Sequence, residues 1–518
     1  MPIERIPFVG AHNQRTIDAR AAMEAGQDQQ FMNVTFDVVR NPVTGRSVVY
    51  CEKRPGWGVL HVVAAGSVST GLIRADSFGT VVSAWGDTNS AIYDSQTSVG
   101  SITGKALHFS ETILSGTSYI LIRSSDGTAW YYSPGGAPTL ISDGDFVTTG
   151  TTISAFTELD GYVFYAAADG FLYNSDLNSI TAYTATNKIA VNMQPDTPLA
   201  VFKHRNLIGV SGTASTEFFY NAGNASGSPL SRAEQHFKLI GIQNQRSLTR
   251  LGDDIYFASS SREGDVKIMR LRDMSIQPVS TPHIDRLLGT SSAFGSDMHL
   301  SGFQLGGYSY VAVVVLSSAA TEPSYLLMES DDNLLLENGD DIILDADTTA
   351  ATGLSHICIY NVDLNIWCEW DTTVMTYIRG AGAGSLNQII ATSRLSTSGK
   401  IYLMNPSGDG AIFADDGTNY DMQVRTSQLD HGTGRRKFIN SVRLACDKFE
   451  GTALLEANDH DYDSTKWVTL GSFDGTQNEP ILYRCGSYTG HRAYRLTYSE
   501  PSAFRVSALE IDYTIGSH

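Results

Sequence analysis

Apolar and polar positions along this chain come in short runs, and between residues 78 and 405 the runs pair up about seven times. Each pair is an apolar strand, a polar turn, and a second strand with a central aromatic or large apolar residue. The first strands are Thr80-Val81-Val82, Tyr119-Ile120-Leu121-Ile122, Tyr162-Val163-Phe164-Tyr165, Asn206 to Val210, Ile255-Tyr256-Phe257, Tyr308 to Leu316 and Gln388 to Ala391. The second strands centre on Tyr93, Tyr131, Tyr173, Phe219, Met269, Tyr360 and Tyr402. Successive steps are 38, 42, 46, 50, 91 and 42 residues, the long one holding an acidic insertion. A period of this size built from short strands is the signature of β-propeller blades. The pattern predicts a mainly β chain whose residues 58–421 form a propeller of six or seven blades, without a WD or kelch signature.

The two ends break the period. Residues 1–57 read as a more charged N-terminal arm, with one helical stretch around Thr16 to Ala25 and a turn from Arg40 to Arg46. Residues 422–518 carry longer alternating strands separated by Gly, Asp and Asn turns, which read as a C-terminal β-sandwich. The insertion at 319–355 repeats an eight-residue unit three times: Leu326-Leu327-Met328-Glu329, Leu334-Leu335-Leu336-Glu337 and Ile342-Ile343-Leu344-Asp345. Such apolar tetrads joined by Asn/Asp/Gly turns predict a small β-meander. A meander cannot bury its apolar face alone, so the propeller or another copy of the chain must cover it. Its acids Glu329, Asp331, Asp332, Glu337, Asp340 and Asp341 are candidates to face a channel or a neighbouring subunit. The plainer reading is a solubilising surface decoration.

Composition fits: 48 Gly supply turns, and 24 Tyr and 21 Phe suit half-buried strands. The net charge of −19 argues against a surface built to grip nucleic acid, where phosphate contacts dominate affinity. The one basic cluster is Arg435-Arg436-Lys437, read as a solvated strand end or an assembly contact. No apolar run approaches the roughly 18 residues of a membrane span, and Met1 to Arg5 lacks a secretory leader pattern, so synthesis and folding in a cytoplasm are expected. The five cysteines are odd in number, distant and without a C-x-x-C pair, which points to small apolar strand residues and not to disulfides or zinc.

No nucleophile elbow, H-E-x-x-H, Walker A or dinucleotide fingerprint occurs, and no catalytic residue, cofactor or metal site is assigned. His204, His356 and His460 have no ligand-spaced partner. The stretch Gly380 to Gly384 lacks the Lys-Ser/Thr ending of a phosphate loop. Asp459, Asp461 and Asp463 alternate like the start of a calcium loop, but the later Gly and bidentate Glu are missing. An Asp-rich hairpin turn is the better reading.

Several segments resemble a known family. Gln29 to Asp37, Asn41 to Gly45 and Lys53-Arg54-Pro55-Gly56-Trp57 look like the opening of the packaged-DNA stabilisation proteins, the tail-hub or nozzle proteins of short-tailed phages. Val424-Arg425-Thr426, Arg435-Arg436-Lys437, Asp463 to Trp467, Arg492 to Thr497 and Val506 to Ile511 are similar to that family's close. Together the ends cover roughly a third of the chain; the middle blades diverge too far to transfer residues. The resemblance implies a virion tail protein with no catalytic residues. It further implies a ring, expected as a hexamer, below the portal and adaptor, contacting tail fibre or spike proteins. DNA would pass through without being held tightly. Two rivals remain at this stage: a receptor- or glycan-binding propeller of the tail, and a glycan-cleaving enzyme built on paired carboxylates.

Overall fold

A computed structural model describes residues 3–516 apart from 10–28, 41–46, 64–65, 87, 149–153, 261–265, 291–297, 317–354, 372–376, 381–388, 394–396, 405–411, 461 and 464. The helix read around Thr16 to Ala25, the acidic meander with its six candidate acids, and the stretch from Ala381 to Gly384 lie outside the described residues.

The regular part is a β-propeller whose described residues form seven successive antiparallel sheets. The first blade holds Ser69–Ala75, Thr80–Trp85, Ser90–Asp94 and Thr97–Ile102; the second holds Ala106–Leu114, Thr117–Ser124, Ala129–Tyr132 and Thr139–Leu140. Blades three to six follow at residues 157–190, 200–232, 241–278 and 298–370. The seventh combines Tyr377–Gly380, Ile389–Thr392 and Lys400–Met404 with Trp57–Val62 from the other end of the chain. The propeller is therefore closed by pairing an early strand with a late one.

The apolar runs seen in the sequence are the two middle strands of each blade. Successive side chains on a strand point to opposite faces, and in a propeller both faces are covered by neighbouring blades. In the second blade, Ile120 and Ile122 enter a core shared with the first blade, while Leu121 enters a core shared with the third. Val163 and Tyr165 of the third blade join Leu121, whereas Phe164 and Ala166 face the fourth. The same alternation runs on around the ring until Ile390 of the seventh blade packs with Leu72, Val81 and Trp85 of the first. One core lies between each pair of adjacent blades. Most of the anchor residues face the preceding blade, as Tyr93, Tyr173, Phe219, Met269 and Tyr360 do, whereas Tyr131 faces the following one.

The remaining strands form a module in which both ends of the chain meet. One sheet joins Ile3–Pro7, Val34–Arg40 and Ser47–Lys53 to Lys437–Cys446, Ile481–Tyr483, Ser487–Tyr488 and Arg505–Ile515. The second joins Gln30–Met32 to Met422–Arg425, Ala493–Tyr498, Thr452–Asn458 and Val468–Asp474. Residues of both sheets share one buried cluster, including Phe36, Ile439 and Leu509 from the first and Phe31, Tyr494 and Leu496 from the second. Gln30–Met32 also pairs, in parallel, with the outer strand Ile366–Trp370 of the sixth blade. That blade and the second sheet are consequently one continuous nine-stranded sheet. Helix α1, Pro282–Thr290, links the fifth blade to the sixth and buries Ile284 and Leu288 against them; the sequence reading has no helix here.

Candidate functional site

Four chain segments meet at Arg54, where the two-sheet module hands the chain to the propeller. The Arg54 side chain is fully buried. Its Nε donates to Asn33 Oδ1 at 3.0 Å, and its two terminal nitrogens donate to Asp415 Oδ1 at 3.0 Å and Oδ2 at 2.6 Å. Further bonds reach the carbonyls of Pro55 and Asp371 at 3.2 and 3.5 Å. The guanidinium carbon lies 3.9 Å from the Tyr420 ring centre, and the Tyr420 hydroxyl donates to the Arg54 carbonyl. A planar fork with five N–H donors suits such a node, since a buried guanidinium is tolerated only when paired and fully hydrogen-bonded.

The neighbours complete the knot. Asn33 Oδ1 also accepts from Asp371 N at 3.0 Å, and Asn33 Nδ2 donates to Asp421 O at 2.7 Å. Trp57 N donates to Asp415 Oδ1 at 3.2 Å. Gly56 has to be glycine, because a Cβ there would meet the Ala414 carbonyl oxygen at 2.2 Å. Lys53 Nζ donates to Glu500 O at 2.6 Å between the rings of Tyr420 and Tyr498. Burial, helped by the charge of Arg54, lowers the Lys53 ammonium to about 8. The segment Lys53 to Trp57, singled out in the sequence by resemblance alone, is thus the joint between the two parts of the molecule.

The basic cluster divides. Arg435 and Arg436 are exposed, and Arg436 lies over Phe438 while donating to Ser487 Oγ at 3.0 and 3.2 Å. Lys437 is buried: its Nζ donates to Gly490 O at 2.6 Å and to Thr433 O, so it braces a turn from within and presents no charge outward. The sheet carrying these residues also exposes Phe438, Tyr483 and Ile515, of which Tyr483 is 72% exposed. In the Asp-rich loop, Asp459 forms a two-pronged pair with Arg492 at 2.7 and 2.8 Å. Asp463 accepts from the backbone and hydroxyl of Thr465 at 2.9 and 2.8 Å. Both carboxylates serve as turn and strand fasteners. All five cysteines are free thiols, and burial pushes them up, Cys446 to about 11.

A second concave feature lies on the propeller axis. The first strands of neighbouring blades pack on one another around it. A short turn of 3₁₀-helix, Gln245–Ser247, enters the axis ahead of the fifth blade's strand Leu248–Leu251. Gln245 accepts from Ala155 N and Val201 N at 3.1 and 2.8 Å, tying the third and fourth blades to this turn. Arg246 Nε donates across the axis to Leu107 O of the second blade at 3.3 Å. The cavity left beside it measures about 330 Å³. Sequence pattern missed this turn because it is three residues long and polar.

A propeller carrying a two-sheet module tied in by an arginine knot is the class that the fold defines, and comparison with known proteins adds a likeness to a phage family. Residues 89–304 match the family described as "Bacteriophage P22 Gp10, beta-propeller", the phage stabilisation family that the two ends of the chain resemble. The match falls on the middle blades and not on the two ends that carry the resemblance. No curated protein sequence matches the chain. Among solved structures, Raptor of Chaetomium thermophilum aligns at 11% identity and TM-score 0.39, over 68% of this chain and 30% of that one. U3-55K aligns at 11% and 0.38, over 68% and 99%. The Pan2 WD40 domain of Neurospora crassa aligns at 9% and 0.37, over 68% and 95%. Likenesses this loose carry no argument about function. The family match spans residues 89–304 and is a likeness to that phage family over the blades. No helix among the described residues is long and apolar enough to cross a membrane.

Proposed function

We propose that this protein is a tail hub or nozzle. It would extend the DNA channel below the portal and adaptor, retain the packaged genome and conduct it during ejection. The observation that carries the reading is the family match over residues 89–304. Two features of the molecule support it. The propeller is locked to the module built from both chain ends by a continuous sheet and by the Arg54 knot, which suits a part that must bear load without hinging. The module exposes Phe438, Tyr483 and Ile515 beside Arg435 and Arg436, a mixed apolar and basic surface fit to meet another acidic subunit or an adaptor. The DNA path in this reading runs between copies, since the cavity on the propeller's own axis, about 330 Å³, is too small to pass a duplex.

The test is electron microscopy of the purified full chain, alone and mixed with the adaptor and portal of the same phage. Closed rings with a central pore that stack on the adaptor are expected, with six copies in each. A chain that stays monomeric in both samples, and instead binds or cleaves glycans, would replace the hub with one of the two rivals.

A further inference from the structure

We propose that the N-terminal strand Ile3–Pro7 is exchanged between neighbouring copies of this chain, each lending it to the sheet edge of the next, an arrangement that rests on the ring proposed for the tail hub. The strand is an addition to a sheet that is built without it. Arg505–Ile515 is held along one edge by Lys437–Cys446, from Lys437 opposite Ile515 to Cys446 opposite Val506. Its other edge is shared. Ser47–Lys53 takes only Val506 and Arg505, opposite Cys51 and Glu52. Ile3–Pro7 takes Ala508 to Asp512 and pairs with no other strand among the described residues.

The strand fills a slot of matching chemistry. Ile6 and Phe8, 7% and 0% exposed, plug the buried cluster that holds Leu509, Ile511 and Tyr513. Phe8 N donates to Ser507 O at 3.1 Å, Arg5 donates to Ser507 Oγ at 3.3 Å, and Glu4 Oε2 lies 2.6 Å from His431 Nδ1. Every copy carries the same strand and the same slot. A neighbour's strand therefore makes the same contacts as the chain's own, and the exchange costs little in itself. A slot left empty would show unpaired backbone groups and apolar side chains, which favours keeping it filled from one source or the other. Reach permits the exchange. Residues 8–29 separate this strand from Gln30–Met32 and are its covalent tie to the rest of the chain. Such a stretch spans at most about 70 Å. Touching copies of a chain this size put equivalent points about 60 Å apart. Each exchanged strand would fasten one copy to the next by main-chain hydrogen bonds and two buried apolar side chains, which suits a ring that bears load.

The experiment places a cysteine pair across this joint in the full chain. Phe8 N donates to Ser507 O directly opposite, so by alternation Arg5 and Glu510 form a non-hydrogen-bonded pair. The Cα atoms of such a pair lie about 4.5 Å apart, within reach of a disulfide. Arg5 is exposed and Glu510 half-buried, so Arg5→Cys with Glu510→Cys should fold as wild type does. After oxidation, a non-reducing denaturing gel should show a ladder of covalent multimers that collapses to one band on reduction. The two single variants, mixed in equal amounts before assembly, should give a dimer band that neither gives alone. Electron microscopy of the same samples separates the exchange from the ring. A ladder from particles that are not closed rings would uphold the exchange and remove the ring. The absence of any interchain band overturns the exchange: with closed rings present the hub reading stands, and without them the ring falls as well.

Discussion

Two buried arginines show how differently one residue type can serve this molecule. Arg54 meets a carboxylate, a side-chain amide, two backbone carbonyls and the face of Tyr420. Arg123, 2% exposed between the second and third blades, meets the rings of Phe146, Phe156 and Tyr165, while its Nε and Nη1 have no hydrogen-bond partner among the described residues. Burial lowers it to about 10. Removing one partner of a buried ion pair strands the other charge, so Arg54→Met should cost about 3–5 kcal/mol. Arg54→Met with Asp415→Leu should recover part of that loss. Arg123→Met leaves no charge behind and should be neutral or stabilising. Denaturation midpoints of the four proteins check this, and equal losses at both arginines would refute it. Lys53 adds a pH signature. Its folded value, about 8, lies below the ordinary 10.5, so between these pH values the unfolded chain binds more protons than the folded one. Stability from this group therefore rises with pH across that window. The stability difference between wild type and Lys53→Met should move in the wild type's favour from pH 8 to 10.5; a flat difference would count against the burial argument.

At the scale of elements, the sequence shows the middle strands and hides their flanks. Ile120 to Ile122 and Val163 to Ala166 are legible because both faces of those strands are buried, which leaves consecutive apolar residues. Outer strands such as Thr139–Leu140 and Tyr183–Ala190 are short or largely exposed and carry no apolar signal. The seventh blade's outer strand, Trp57–Val62, is invisible to periodicity because it precedes its partner by more than 300 residues. The same holds for Ile3–Pro7, paired with Arg505–Ile515. The Arg54 site was half legible: the segments holding Asn33 and Lys53 to Trp57 stood out by resemblance, but Asp415 and Tyr420 are brought to it only by the fold. Turns also carry stability that their sequence does not announce. Asp196 accepts from Thr213 N, Ala214 N and Ser215 N, each at 2.8 Å, and from the hydroxyls of Thr213 and Ser215, clamping the fourth blade's middle hairpin. Burial would raise this carboxyl, yet the bonds outweigh it and hold it below 3.8. Its contribution is therefore full above 3.8 and lost as pH falls through the lower folded value. Asp196→Asn should destabilise the protein at pH 7 and flatten acid unfolding below about pH 4. An acid limb identical to that of wild type would contradict the clamp.

At the scale of the whole molecule, the remaining question is where a polyanion would travel past a protein that is itself acidic. The insertion at 319–355 leaves the sixth blade between its second strand, Tyr308–Leu316, and its third, Ser355–Asn361. That blade belongs to the nine-stranded sheet that continues into the two-sheet module. An insertion rooted there is anchored to the sheet that joins both parts of the molecule, which suits either a channel wall or a subunit contact. In a ring of six such chains, carboxylates facing the pore would repel the duplex at short range and centre it, while salt screens them beyond about 10 Å. Strong phosphate binding along the pore would instead act as a brake. The purified protein should then bind free duplex DNA weakly even at low salt. Replacing Glu329, Asp331, Asp332, Glu337, Asp340 and Asp341 by their amides should leave the melting temperature within a few degrees of wild type, because carboxylates that face a water-filled pore add little to stability. It should also slow genome release from otherwise intact particles. Normal release kinetics from the amide particles would place the acids on an outer surface, and tight low-salt DNA binding by the unmodified protein would remove the repulsive wall altogether.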